Sequence, residues 1–437
     1  MPELDMKVFA GRKILMIVEN LPCPFDRRVW QEATTLRDFG AQVSIICPAG
    51  KGYESKFEII EGIAVYRHGL PHEADGALGY LLEYGCALFW EFLLALKCLF
   101  TRGFDVIHAC NPPDLIYLVA RPFKLLGKKF VFDHHDINPE LYIAKFNNKG
   151  FMYKLMLYFE RKTFNCAKVC IATNESYKRI AVERGGKKPE DVFIVRSGPS
   201  LERLKIVHPV PELKKGRKYL IGYVGVIGRQ EGLNYLIDAA EYIIREKRRG
   251  DVHFVCAGGG TELQNIIDYA RQKNVDDYFT FTGRIPDQDL LDVLNTADVC
   301  VNPDEYNEMN DKSTMNKIME YMALGKPIVQ FDMTEGRFSA QEASLYAKPN
   351  DAVDFAGKIL YLLDNEELRK EMGRFGRERI INELNWEIER KNLIRAYSRL
   401  FNIDAELPGR EVSYNAGESI PVVFKEVQRK KKTDVYE

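Results

Sequence analysis

The feature that most restricts this chain is a rhythm that runs twice. Short β-rich runs alternate with stretches of helical period: "KILMIVE", "QVSIICP", "DVIHAC", "KFVFDH", "KVCIATN" and "DVFIVRSGP" are each separated by such a stretch. The strands are continuously apolar rather than alternating, which marks a parallel sheet covered by helices on both faces. The rhythm breaks at "VHPVPELKKGRK", residues 207–218, which is rich in Pro and charge and has no apolar period. It then restarts with "YLIGYVGVI", "HFVCAGG", "YFTFTG", "DVCVNP" and "PIVQFD". The expectation is an α/β protein of two Rossmann-like, doubly wound domains, residues 1–206 and 219–384, joined by a linker at 207–218. "NWEIERKNLIRAYSRLF", residues 385–401 of a 385–407 segment, is expected to cross back onto the first domain, and 408–437, with "QRKKK", forms a tail.

At 437 residues the chain can bury two cores of ordinary size. Its 62 Lys+Arg almost cancel 63 Asp+Glu, so no global field recruits a polyanion and nucleic acid is not an expected partner. Nine cysteines, an odd number, sit mostly in apolar runs without C-x-x-C spacing, as reduced core thiols do. No apolar leader precedes "GRKILMIVEN", and a cytoplasmic location is expected.

One segment qualifies that location. "GALGYLLEYGCALFWEFLLALKCLF", residues 76–100, is apolar except for Glu83, Glu91 and Lys97, which with Arg102 occupy one arc of roughly 140° at about 100° per residue. The charges interrupt the run of about 20 apolar residues that a bilayer span needs. Two readings stand: burial within the N-terminal domain, or shallow insertion at the cytoplasmic membrane surface, helped by Arg121, Lys124, Lys128, Lys129 and "FMYKLMLYFERK".

Ligands of doubly wound sheets bind outside the carboxyl ends of the strands. Gly225 and Gly228, Gly258 to Gly260, and Gly283 follow strands of the second domain, where glycine allows close backbone approach to a diphosphate but also serves any tight turn. In "NDKSTMNKIMEYMALGKPIVQFD", Ser313 or Thr314 can cap a helix that Gly325 and Pro327 terminate. Met315, Ile318, Met319 and Met322 make its core stripe, while Asn316, Lys317 and Glu320 face away. In the first domain "DHHD", residues 133–136, follows a strand. A zinc site there lacks a further ligand at suitable spacing, and the Asp287/Asp289 pair suits a helix start better than a metal, so no metal is expected. Asp26, Arg27 and Arg28 follow the first strand, either as an acceptor or phosphate site or as a capping aspartate with solvated arginines.

From "PFDRRVWQEA", "VIHACNPPD", "FDHHDINPELY", "VRSGP", "FTGRIPD" and "NDKSTMNKIMEYMALGKPIV", in this order over roughly residues 10–402, the chain resembles the family 4 glycosyltransferases of the GT-B architecture. The nearest branch builds bacterial exopolysaccharide, capsule or O-antigen. The resemblance implies an interdomain cleft, a UDP-sugar donor, a lipid-linked saccharide acceptor, retention at the anomeric carbon and no cofactor. It places Glu320 at the ribose and His135 and Asp136 at the donor sugar or acceptor, with His134 an alternative. Gly228, Gly259, Ser313, Thr314, Met315, Asn316 and Lys317 fall around the nucleotide, and Arg284 in the segment whose backbone reads uracil.

The family pattern is departed from three times. Lys312 stands where the first of two glutamates is usual, and Val226 and Glu231 stand where an Arg and a Lys are usual. Arg229, with Lys312 and Lys317, is expected to neutralise the diphosphate instead. Two alternatives to a hexosyltransferase-type enzyme remain: a nucleotide-sugar epimerase on the same scaffold, and a non-catalytic sugar-nucleotide-binding subunit.

Overall fold

Eight strands form the N-terminal sheet: β1 (Lys13–Ile17), β2 (Gln42–Pro48), β3 (Phe57–Ile60), β4 (Ile63–His68), β5 (Val106–Cys110), β6 (Lys129–His134), β7 (Val169–Ala172) and β8 (Val192–Ile194). They lie in the order β3-β4-β2-β1-β5-β6-β7-β8, all parallel except the β3 edge, which pairs antiparallel with β4. β1, β2, β4, β5 and β7 are buried almost throughout, as a sheet covered on both faces requires, whereas β3 is half exposed. This is a computed structural model, and it describes residues 7–69 and 76–403, the side chains of 76–83 excepted. The proposed 408–437 tail lies outside the described residues.

The second sheet is wholly parallel: β9 (Tyr219–Val224), β10 (Val252–Ala257), β11 (Phe279–Gly283), β12 (Val299–Asn302), β13 (Ile328–Phe331) and β14 (Ser344–Ala347), in the order β11-β10-β9-β12-β13-β14. Its strand order reverses between β9 and β12, and that of the first sheet between β1 and β5, so each domain has a crevice at the carboxyl ends of those strands.

Two chain crossings join the domains. One runs through 195–204 after β8, and the other enters the helix Trp386–Phe401, which packs on β7, β8 and the helix Arg27–Asp38. They touch at Gly198, where a Cβ would lie 2.6 Å from Asn385 C and Trp386 N, so only glycine lets the strands pass. Glu389 Oε2 accepts from Arg196 N–H at 3.0 Å, and Trp386 Nε1–H donates to Thr35 Oγ1 at 3.0 Å.

The helix Gly76–Thr101 lies on the first domain beside the helix Tyr117–Leu125. Burial within the domain describes only one side of it. Ala87, Glu91, Ala95 and Cys98 are buried, but Phe89, Trp90, Leu93 and Phe100 are exposed. Its Tyr84–Thr101 stretch is long and apolar enough, by length and composition, to cross a membrane, which corrects the expectation that its charges make it too interrupted.

Candidate active site

A cavity of about 650 Å³ opens between the domains. Its walls are the segments that leave the carboxyl ends of the strands: Arg28 after β1, His135 and Asp136 after β6, Thr173 and Tyr177 after β7, Ser197 after β8, Gly225, Val226 and Glu231 after β9, and Asp304 to Glu320 after β12. Of the residues singled out in the sequence, Arg28, His135, Asp136, Ser313, Thr314, Met315, Asn316, Lys317 and Glu320 meet here.

The C-domain wall is the helix Asn316–Ala323, whose Ile318, Met319 and Met322 are buried while Asn316, Lys317 and Glu320 turn to the cavity. Gly325 ends it with φ +66°. Ser313 and Thr314 are not its caps: Met315 occupies that position without a side-chain bond. They reach across to the other domain. Asn174 Nδ2 donates to Lys312 O at 2.9 Å and to Thr314 Oγ1 at 3.0 Å, and Tyr177 OH lies 3.0 Å from Ser313 Oγ. Ser176 Oγ–H donates to the buried Glu335 at 2.6 Å along the same seam. Lys317 Nζ pairs with Asp304 at 2.6 Å and lies 4.9 Å from the Tyr223 ring centroid. Burial pushes Asp304's carboxyl up, against the pull of Lys317.

Gly228, Arg229, Gly259, Arg284 and Lys312, all expected at the donor, are not among this cavity's lining residues. Lys312, on an intervening short helix Glu308–Lys312, pairs with Glu308 at 2.7 Å and lies 3.9 Å from Glu140, outside the cavity lining. Arg229, with Gly228, lines a separate cavity with Asn234, Glu262 and Glu305, because the turn after β9 points Gln230 and Glu231 into the cleft instead. Arg284's guanidinium covers the Phe25 ring at 4.4 Å, across the domain gap. The glycines have a packing reason of their own: a Cβ on Gly260 would sit 2.3 Å from Ile227 O, so the loops after β9 and β10 close on each other, with Gly259 O accepting from Ile227 N–H.

On the N-domain wall, Asp26 Oδ1 caps the helix Arg27–Asp38 by accepting from Val29 N–H at 3.1 Å. Arg28 is buried. Its guanidinium donates to Asp133 Oδ1 at 2.9 Å and to Val195 O at 2.8 Å, and lies 3.2 Å from Glu32. Asp133 is the residue that pattern reading passed over within "DHHD". Its Oδ2 lies 2.5 Å from His135 Nε2 and 3.3 Å from Arg28 Nε. We assign the proton to His135 Nε2, donating to Asp133, so the 2.8 Å approach of Arg28 Nε to that nitrogen is contact rather than a hydrogen bond. Burial opposes Asp133's charge, but Arg28 and His135 more than offset it and hold its carboxyl well below the usual range. Glu32, equally buried and beside Asp133, is pushed well up and favours its protonated form.

The rest of "DHHD" divides by strand alternation. His134 is fully buried among Phe132, Phe164 and Tyr177, and burial drives its pKa down to about 3, so it is a neutral core residue rather than the alternative to His135. Asn111 Oδ1 accepts from the backbone N–H groups of His135 and Asp136 at 2.7 and 3.1 Å, fixing the loop at the cavity floor. His108, Cys110 and Asp133 place one metal-ligand atom each within 4.8 Å of one another, neighbours that linear spacing did not show. Arg28 already supplies Asp133's cation, and burial pushes the Cys110 thiol well up, so this set reads as a charge cluster rather than a metal centre.

Comparison with known proteins settles the class. Residues 26–203 match the family model "Glycosyltransferase Family 4" and residues 218–365 match "Glycosyl transferases group 1", one in each half. The chain is a glycosyltransferase of the GT-B fold. Glycogen synthase of Mycobacterium tuberculosis is 23% identical over 377 residues, with 83% of this chain and 87% of that protein aligned. The capsular polysaccharide biosynthesis glycosyltransferase CapM of Staphylococcus aureus is 24% identical over 267 residues, covering 57% and 66%. Sucrose-phosphate synthase from Thermosynechococcus elongatus superposes with a TM-score of 0.73 at 19% identity over 90% of this chain and 99% of that one. Anabaena Alr3699/HepE, solved with UDP and glucose, gives 0.67 at 14% identity over 89% and 100%. In this glycosyltransferase the cavity therefore lies where the two domains of the fold meet.

Proposed function

We propose that this glycosyltransferase moves a sugar from a UDP-sugar to a hydroxyl of a lipid-linked saccharide, with retention at the anomeric carbon, in bacterial exopolysaccharide, capsule or O-antigen synthesis. The observation that carries the reading is the facing pair of walls: Glu320 with the helix Asn316–Ala323 on one side, His135 and Asp136 on the other. Glu320 accepts hydroxyl groups of the ribose. The diphosphate sits at the amide-donating end of that helix, near Lys317 and Arg28, which takes the place expected of Arg229 and Lys312. His135 and Asp136 hold the sugar or acceptor. In transfer the bond from the anomeric carbon to the diphosphate oxygen breaks and the bond to the acceptor oxygen forms. The acceptor proton leaves with UDP. Helix end, lysine and arginine supply the charge that a metal supplies elsewhere, so the transfer is metal-independent in this reading. HepE's UDP and glucose and CapM's capsule role agree with this donor and pathway.

The acceptor class is supported by the surface of the first domain. The neighbouring helices Gly76–Thr101, Tyr117–Leu125 and Phe151–Cys166 expose Trp90, Phe100, Leu125 and Phe151 beside Arg121, Lys124 and Lys162, and no acidic side chain is exposed among their described residues. Such a face suits an anionic membrane surface, where a lipid-linked acceptor resides and a cytoplasmic enzyme would dock peripherally. UDP release from UDP-sugars, measured with and without a lipid-linked saccharide fraction, tests the reaction. Release that depends on the acceptor is expected. Donor binding without turnover would favour a binding subunit, and donor conversion without acceptor an epimerase. Glu320→Ala should weaken UDP binding at least about tenfold in calorimetry, and unchanged affinity would remove Glu320 from the ribose.

A further inference from the structure

Glu320 is already engaged at one of its two oxygens, Oε1. Its carboxylate is hydrogen-bonded to the Arg203 guanidinium and lies 3.8 Å from Arg27 Nη1. Both arginines also meet Asp287: Arg27 Nη2 donates to its Oδ1 at 2.8 Å, and Arg203 Nη1 stands 3.7 Å from its Oδ2. The four residues come from separate parts of the fold. Arg27 opens the first helix of the N-domain, Arg203 belongs to the crossing after β8, and Asp287 and Glu320 lie on two helices of the C-domain. Asp287 opens its helix, as its place in the sequence implies, and its carboxylate makes no cap bond but spans the gap to Arg27.

We propose that this network is a donor-displaced latch, holding the two domains together through the carboxylate that the nucleotide must take. The inference rests on the ribose role assigned above to Glu320. A ribose diol that takes both carboxylate oxygens must displace Arg203 and Arg27 from Oε1, so the free energy of those contacts is subtracted from its binding. Arg284 over Phe25 closes the same edge of the cleft. The domains are joined here by contacts that compete with the substrate, and at the Asn174/Tyr177 seam by contacts on Ser313 and Thr314 that do not involve Glu320. Arg27 is about half exposed and Arg203 about a fifth, so the competing contacts are of the modest kind, and their loss should be visible as affinity rather than as unfolding.

The test is UDP binding by calorimetry in the full chain, with folding checked by circular dichroism. If Glu320 is latched, Arg27→Ala and Arg203→Ala each bind UDP about two- to fivefold more tightly than the unaltered protein. Arg203→Lys, which keeps the charge, stays close to the unaltered value. Weaker or unchanged binding in both alanine variants overturns the latch and, where weaker, makes the arginines nucleotide contacts. Glu320→Ala separates the two ideas. If it loses UDP while the arginine variants do not gain, the latch fails and the ribose site stands. If it binds UDP normally, the ribose assignment fails and the latch with it.

Discussion

The two domains share a sheet plan but differ in how densely they cluster buried polar groups: the C-domain's Asp304, paired with Lys317, and Glu335 lie at the cleft and the seam. Beneath its crevice the N-domain buries Arg28, Glu32, His108 and Asp133, and beyond them Glu140 and Glu160 around Arg184, while its outer helices expose large apolar side chains. The C-domain packs its sheet with Tyr223, Phe254, Ile318 and Phe331, and its exposed large apolar residues, such as Tyr306, Val353 and Ile381, are scattered along the chain. A Rossmann-like scaffold needs only apolar packing to place a helix end at a phosphate. Holding a histidine and an arginine at a fixed geometry for a second substrate needs directional bonds. The denser cluster of buried polar groups beneath its crevice therefore suits the N-domain to orienting groups, and the apolar exterior of its outer helices is what the proposed membrane docking would use.

The contrast breaks most sharply at Asp133. Asp133→Ala takes the ionised partner from the nearly buried Arg28 guanidinium, and the cost is expected at about 3–5 kcal/mol, read as a fall in the urea midpoint at unchanged slope. A cost below about 1 kcal/mol would show that the N-domain cluster is no more than packing. Next comes Glu91, buried on the Gly76–Thr101 helix with neither carboxylate oxygen hydrogen-bonded, whose pKa burial raises to about 8. The unfolded chain releases this proton near pH 4.3 and the folded one only near 8. Stability attributable to Glu91 is therefore whole below the lower value, falls across the interval and is flat above it. Glu91→Gln should match the unaltered protein at pH 4 and exceed it by about 4–5 kcal/mol at pH 8. Equal stability at both pH values would mean that the carboxyl is solvated. The surface effect is smaller. Trp90→Ser with Phe100→Ser should lower binding to anionic vesicles about tenfold or more while leaving UDP affinity alone, whereas Val353→Ser with Ile381→Ser on the C-domain should leave both unchanged.

The sequence made this division only partly legible. Continuous apolar strands disclosed two parallel sheets, because burial on both faces is written locally. The crossing, however, lies at 195–204, and the stretch expected as linker, 207–218, sets Val207 and Leu213 against the C-domain core. Glu320 and Lys317 were readable as the polar side of an amphipathic helix placed after a strand. Arg229 lines a separate cavity because one residue of turn decides whether a side chain enters the cleft, and the chain enters with Gln230 and Glu231. Ser313 and Thr314 looked like caps because cap chemistry and interdomain hydrogen bonding use the same hydroxyls. Asp133, His108 and Glu32 were invisible as a cluster: they come from β6, β5 and the first helix, and nothing in linear spacing reports neighbours across a sheet. The ion pairs of Arg27 and Arg203 belong to that same class of long-range contact.

The smallest expected effect lies at the seam where the two kinds of domain meet. Tyr177 OH is the N-domain's hydroxyl on Ser313, and Ser313 Oγ also donates to Met309 O at 2.7 Å, so removing the phenol leaves no polar atom on the C-domain side without a partner. Tyr177→Phe keeps the ring packed against His134. Its cost in stability should thus stay near 1 kcal/mol or less, the net value of one hydrogen bond. Turnover is the more telling readout, because the bond fixes the loop that precedes the helix Asn316–Ala323 against the wall that carries His135. Acceptor-dependent UDP release is expected to fall about two- to fivefold with the UDP dissociation constant unchanged. Unchanged turnover would mean that the seam only glues the domains, and that the orienting work of the N-domain is confined to the charges beneath the cleft.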